Sequence, residues 1–151
     1  VTGSTAEGFG AAEMPFSVHE IESYERTGFG WPIVPSGMTE VLMMLRDRYP
    51  DIPPIYVTEN GCAYAHGPDE EGYVDDQPRI DYYNSHLRAV AHAASQGVDV
   101  RGYYAWSLMD NFEWAEGYTQ RFGLVHIDFD TLKRTPKASY EWYADVIKAN
   151  K

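Results

Sequence analysis

Ile55-Tyr56-Val57-Thr58-Glu59-Asn60-Gly61 is the stretch that decides how the chain is read. The double proline Pro53-Pro54 blocks a helix running in from Tyr49, Ile55 to Thr58 is β-branched and aromatic, and Asn60-Gly61 is a pair that tolerates positive φ. The pattern predicts a strand that stops at a turn, with Glu59 at its carboxyl end. In parallel α/β folds, and above all in barrels, that end of a strand carries the chemistry. Taken alone, a Glu beside an Asn-Gly turn is more often a solvated loop residue.

On the amino-terminal side, Gly30-Trp31-Pro32-Ile33-Val34-Pro35-Ser36-Gly37 leads into a helix. Its apolar face is Met38, Val41, Leu42, Leu45 and Tyr49, and Pro50 stops it. Further upstream, Val1 to Phe29 is rich in Gly, Ser, Thr and Glu and reads as a long loop. On the carboxyl side, Ala63 to Pro78 is polar and acidic and reads as a surface loop over the strand end. Asp81 then offers an N-cap for a helix to Gln96, with Leu87, Val90, Ala91 and Ala94 on one face and Gly97 at C′. Val98 to Leu108 returns to strand character. Thr135 as N-cap, with Pro136 at the first helical position, starts a last helix whose stripe is Tyr140, Tyr143, Ala144 and Ile147.

Helix, strand, helix, strand, helix implies an α/β fold of parallel strands joined by crossovers. Two parallel strands make no stable sheet alone, because such strands are buried on both faces and need neighbours on their edges. No internal repeat supplies the others, so the chain is expected to form part of a larger sheet.

The 151 residues, 44% apolar and 23% charged, have the composition of a soluble globular chain. A formal net charge of −11 without a Lys/Arg cluster excludes a nucleic-acid groove or an anionic membrane as partner. The aromatic share of 15%, with 12 Tyr and 4 Trp, suits stacking against sugars and suits an ordinary core equally. A single cysteine, Cys62, makes no internal disulfide, and there is no apolar run of membrane-spanning length. A reducing cytoplasm is the default expectation.

Three motifs stand in order along the chain: Thr58-Glu59-Asn60-Gly61, Trp106-Ser107-Leu108-Met109-Asp110-Asn111-Phe112-Glu113-Trp114, and Gly117-Tyr118-Thr119-Gln120-Arg121-Phe122-Gly123-Leu124. By these the chain resembles the carboxyl-terminal part of a family-one glycoside hydrolase, the β-glucosidase family. The resemblance implies the last two strands and flanking helices of a TIM (β/α)8 barrel. Residues 1–151 would then be the carboxyl-terminal third of a single catalytic domain, of a fold that takes about 250 residues or more.

The activity implied is retaining hydrolysis of terminal β-D-glucosyl residues by two carboxylates about 5–5.5 Å apart. Glu59 matches the nucleophile. Trp106 matches the platform beneath the sugar, Glu113 and Trp114 match groups that bind its hydroxyls, and Phe122 matches an aromatic wall near its primary alcohol. The family's acid/base lies in an Asn-Glu-Pro motif, and no such motif occurs here. A complementary amino-terminal barrel segment is therefore the expected protein partner, and the isolated chain is expected to be inactive or nearly so. The substrate implied is a β-glucoside or a cellobiose-like sugar. In the phospho-glycosidase branch the position of Glu113 carries a small hydroxyl residue and the neighbouring turn a lysine; Glu113 and Gln120 here imply unphosphorylated glucosides. Two alternatives remain open at this point: a catalytically inactive glycoside-binding relative, and a fragment without activity.

Other features read as structural. Cys62 reads as a small packing residue. The five histidines, His19, His66, His86, His92 and His126, have no metal-ligand spacing. Asp69-Glu70-Glu71 and Asp75-Asp76 read as a solvated acidic loop, so neither metal nor cofactor is expected.

Overall fold

The prolines act as the sequence predicts. Helix α1 (Pro35–Arg48) ends two residues before Pro50, and strand β1 (Ile55–Asn60) begins directly after Pro53-Pro54 in this computed structural model, which describes residues 23–150. Most of the stretch read as a long amino-terminal loop lies outside the described residues. Helix α2 (Gln77–Ser95) carries the chain to β2 (Val100–Ala105), which pairs parallel with β1. A 3₁₀ turn (Trp114–Glu116) and a short antiparallel pair, β3 (Val125–Ile127) with β4 (Arg134–Pro136), precede helix α3 (Ala138–Ala149).

Two apolar clusters hold these pieces together. Leu42, Val90, Ala93 and Val98 join α1, α2 and the entry to β2, with Met38, Met43, Ile55, Val57 and Tyr103 packed against them. Cys62, Tyr82, Tyr83 and Leu124 form the second, against which Trp142 and Tyr143 of α3 pack. Cys62 is fully buried, and burial pushes its thiol up to about 12, consistent with a packing role.

Four expectations about boundaries and faces are corrected. α2 starts a turn earlier than Asp81, with Asp76 at its N-cap and Pro78 in the first turn. Its buried face is Arg79, Tyr82, Tyr83, His86, Ala89, Val90 and Ala93, whereas Ala91 and Ala94 are exposed. Counting aliphatic residues missed this stripe because Tyr, His and Arg carry much of it through their apolar bodies. In α1 the face turns on Leu42, and Val41 and Tyr49 are exposed. Thr135-Pro136 does not start the last helix. It closes β4 against β3, where a proline at a strand end is tolerated, and α3 begins after Lys137.

The stretch read as a solvated acidic loop is half right. Asp75 is exposed, but Asp76 is buried at 1% exposure, and Val74 and Ala63 are buried with it. Asp76 Oδ2 accepts from Arg79 Nε at 2.6 Å and from Ser139 Oγ at 2.5 Å. The Arg79 guanidinium, itself fully buried, donates onward to the carbonyls of Cys62, Phe122 (3.1 Å) and Arg121 (3.0 Å). One side chain therefore ties the segment after β1, the loop before β3 and, through Asp76, the start of α3.

Both outer edges of the β1–β2 pair are unpaired among the described residues. Beside β2, the α3 residues Tyr140, Tyr143, Ala144 and Ile147 line an apolar groove with Tyr104 and Leu108. No helix among the described residues is long and apolar enough to cross a membrane.

Replacing Arg79 by Met leaves Asp76 buried without its counter-charge, and a loss of about 3–5 kcal/mol is expected in denaturant unfolding. The Arg79→Met/Asp76→Leu double substitution is expected to recover part of it. A double variant less stable than Arg79→Met alone contradicts the assignment.

Candidate active site

At its carboxyl end β1 is irregular. Val57 pairs with Tyr103 and Asn60 with Ala105, so β1 spends one more residue than β2 over the same span. Such a bulge re-aims side chains. Val57 packs inward on the helices and Asn60 reaches Tyr82 of α2, whereas Thr58 and Glu59 between them are exposed. Glu59 is thus presented on the face opposite the helix layer. The strand continues through Asn60, one residue beyond Glu59.

Trp106 follows the last residue of β2 and is half-buried. Its backbone N–H donates to the Asn60 carbonyl at 2.8 Å, so the two strand ends lie side by side, and the Trp106–Ser107 peptide is cis. Asn60-Gly61 was read as a turn pair that tolerates positive φ. The structure gives another reason for the glycine: Gly61 is not among the residues of positive φ, but a Cβ there would overlap the Trp106 carbonyl oxygen. That carbonyl also accepts the Tyr83 hydroxyl at 3.1 Å.

The loop beyond Trp106 folds back on itself around Asp110, which is 6% exposed. Its carboxylate accepts from Arg121 (2.8 Å), Lys137 (3.1 Å) and the backbone N–H groups of Gly123 (2.9 Å) and Ile127 (3.2 Å). Burial pushes the Asp110 carboxyl up, but Lys137 and Arg121 more than offset it, and the net shift is below its ordinary value. Lys137 is pushed down to about 8 by burial and by Arg79, with Asp110 and Asp76 opposing.

Glu113 is half-buried and ordered from within the same loop. Ser107 Oγ donates to Asn111 Oδ1 at 2.9 Å, and Asn111 Nδ2 donates to Glu113 Oε2 at 3.0 Å. Trp114 is 83% exposed and holds φ of 43°, a strained conformation for a bulky residue. Phe122 is 2% exposed with its ring against Phe29 and Trp31, so of the five residues singled out from sequence it alone reaches no open face. Among the described residues, no group of three or more His, Cys, Asp or Glu side chains is arranged to hold a metal ion.

Sequence reasoning missed the residues that hold this rim: Asn60, Tyr82, Tyr83, Tyr103, Asp110 and Lys137. Asn60 and Asp110 lay inside quoted motifs. Tyr82 and Tyr83 carried a signal in their position on the buried side of α2, which aliphatic counting did not use.

Comparison with known proteins bears directly on this arrangement. The family model for glycosyl hydrolase family 1 matches residues 5–151. Beta-glucosidase A of Thermotoga maritima is 46% identical over 139 residues, which are 91% of this chain and 31% of that protein. A 6-phospho-β-galactosidase of Clostridium acetobutylicum is 45% identical over 117 residues, 78% of this chain and 24% of that protein. The crystal structure of a psychrophilic β-glucosidase from Micrococcus antarcticus matches with a TM-score of 0.85 at 46% identity, covering 87% of this chain and 28% of that one. The chain thus spans less than a third of the length of these relatives, and its parallel strands and flanking helices are a segment of a (β/α)8 barrel. Overall identity barely separates the glucosidase from the phospho-galactosidase, which leaves that distinction to individual residues.

Gly61→Ala is expected to push the two strand ends apart and to lower stability by about 1–3 kcal/mol, read from thermal unfolding; an unchanged midpoint contradicts the close approach. Because the folded-state pKa of Asp110 lies below the ordinary 3.8, its contribution is complete above that pH and is lost as pH falls below it. Asp110→Asn is therefore expected to lower stability at neutral pH and to flatten its decline below about pH 4, in unfolding curves taken across pH.

Proposed function

The chain belongs to glycosyl hydrolase family 1, and from that premise we propose that it is the carboxyl-terminal third of one catalytic domain, supplying the nucleophile of a retaining β-glucosidase. The observation that carries this reading is the side-by-side placement of two strand ends, with Glu59 presented by one and Trp106 by the next. Glu59 attacks the anomeric carbon as a carboxylate, the bond to the aglycone oxygen breaks, and a glycosyl ester forms. Water then cleaves the ester and releases the sugar with retained configuration. Protonation of the leaving oxygen needs a second carboxylic acid, raised in pKa by its neighbour's charge and by burial. A complementary amino-terminal barrel segment provides it.

Trp106 offers its indole face to the C–H groups of the sugar. Glu113, already ordered by Asn111, accepts two sugar hydroxyls, and the exposed Trp114 donates its indole N–H. Phe122 backs the wall near the primary alcohol from its buried position. A carboxylate at Glu113 repels a 6-phosphate, and Gln120 adds no positive charge, so unphosphorylated glucosides and cellobiose-like sugars are the substrates. Galactosides and fucosides are tolerated.

In the chain joined by its complementary segment, Glu59→Ala is expected to lower hydrolysis of an aryl β-glucoside by at least about 10⁴-fold. Azide, filling the vacated space, restores turnover of an activated substrate. Normal activity in Glu59→Ala overturns the nucleophile assignment. Glu113→Ser is expected to raise KM for glucosides about tenfold or more; unchanged glucoside binding contradicts the role of Glu113.

A further inference from the structure

The last backbone hydrogen bond between the two strand ends is the one from Trp106 to Asn60. Beyond it, two hydroxyls from the outer helix take over. Tyr83, fully buried in α2, donates to the Trp106 carbonyl at 3.1 Å. Its neighbour Tyr82, 8% exposed, accepts from Asn60 Nδ2 at 3.2 Å, and Tyr103 of β2 donates to Asn60 Oδ1 at 2.6 Å. The Asn60 amide is therefore gripped at both ends, one residue after Glu59.

The phenols are themselves fixed. The Tyr82 and Tyr83 rings meet edge to face at 5.7 Å, His86 stacks on Tyr82 at 4.0 Å, and Tyr143 of α3 lies 5.8 Å from Tyr83. Burial pushes the Tyr82 hydroxyl up to about 12 and those of Tyr83 and Tyr103 higher still, so all three stay neutral across the working range.

The geometry points to Tyr82 and Tyr83 as positioning residues that set the nucleophile and the sugar platform at a fixed separation from behind the sheet. Tyr82 acts through Asn60 on the orientation of Glu59, and Tyr83 acts through the Trp106 carbonyl on the height of the indole. Neither touches substrate, because both lie on the helix side of the strands. The inference rests on the reading of Glu59 as nucleophile and Trp106 as platform. A displacement of about 1 Å at such a site is worth roughly a hundredfold in rate.

The test uses the complete barrel, the chain with its complementary segment, and an activated aryl 2-deoxy-2-fluoro-β-glucoside. The fluorine slows both steps and the activated leaving group offsets this in the first, so the glycosyl ester accumulates and reports the first step alone. Tyr82→Phe is expected to lower the first-order trapping constant about tenfold or more while the reagent's dissociation constant stays within about twofold. Tyr103→Phe releases the other end of the same amide and is expected to act in the same direction, which keeps the test decisive should Tyr82→Phe not fold. Tyr83→Phe is expected to weaken reagent binding about fivefold or more. Peptide mapping places the label on Glu59 throughout. Trapping and binding unchanged in all three variants, with only a lower melting temperature, overturn the inference and leave the nucleophile reading intact. A label on another carboxylate in the unsubstituted enzyme overturns the nucleophile reading, and the inference with it.

Discussion

The loops at the rim of this sheet depend first on one fully buried guanidinium. Arg79 is fully enclosed, and a guanidinium taken out of water is tolerated only when its donors are matched. Asp76 and three backbone carbonyls match them. Those carbonyls belong to Cys62, Arg121 and Phe122, so the charge draws the segment after β1 and the loop before β3 onto the start of α2. Ser139 joins α3 to the same carboxylate. Asp110 repeats the device nearby with opposite sign: a buried carboxylate answered by Arg121, Lys137 and two amides. Fixed geometry in loops, where conformational entropy is otherwise high, comes from these two centres together with the buried Cys62, Phe122 and Leu124.

The consequence is a rim held largely by strands and side-chain hydrogen bonds. Glu59 sits on a strand, Trp106 directly follows one, and Glu113 hangs from a loop pinned at Asp110 and ordered internally by Asn111. Sites built on rigid elements with supporting hydrogen bonds hold their geometry best. Trp114 is the exception, exposed and at positive φ.

How much of this the sequence disclosed follows from how local each feature is. The β1 strand was legible because Pro53-Pro54 and the β-branched run act within a few residues. Gly97 at the end of α2 was legible for the same reason, and its φ is 93°. Gly61 was legible as a turn residue but its close approach was not, since the neighbour it must avoid, Trp106, arrives from a different strand. Asp76 looked solvated because much of what encloses it and its neighbour Arg79, Ser139 and the carbonyls of Arg121 and Phe122, is remote in the chain. Thr135-Pro136 fits both a helix start and a strand end, and only pairing with β3 decides between them. The five candidate residues came from motif resemblance, whereas much of the network around them is long-range and invisible to spacing.

The unpaired edges of the β1–β2 sheet and the apolar groove beside α3 agree with a chain that covers less than a third of its relatives. Catalysis on this account needs the other part of the barrel, where the proton donor is proposed to reside. The most direct measurement is a denaturing intact-mass spectrum of purified material beside an assay on an aryl β-glucoside. The account predicts that active samples contain the 17.1 kDa chain together with the complementary polypeptide, or joined to it, and that the 17.1 kDa chain alone gives no turnover. Full activity from the 17.1 kDa chain alone contradicts it, and places the proton donor on a carboxylate within this sequence.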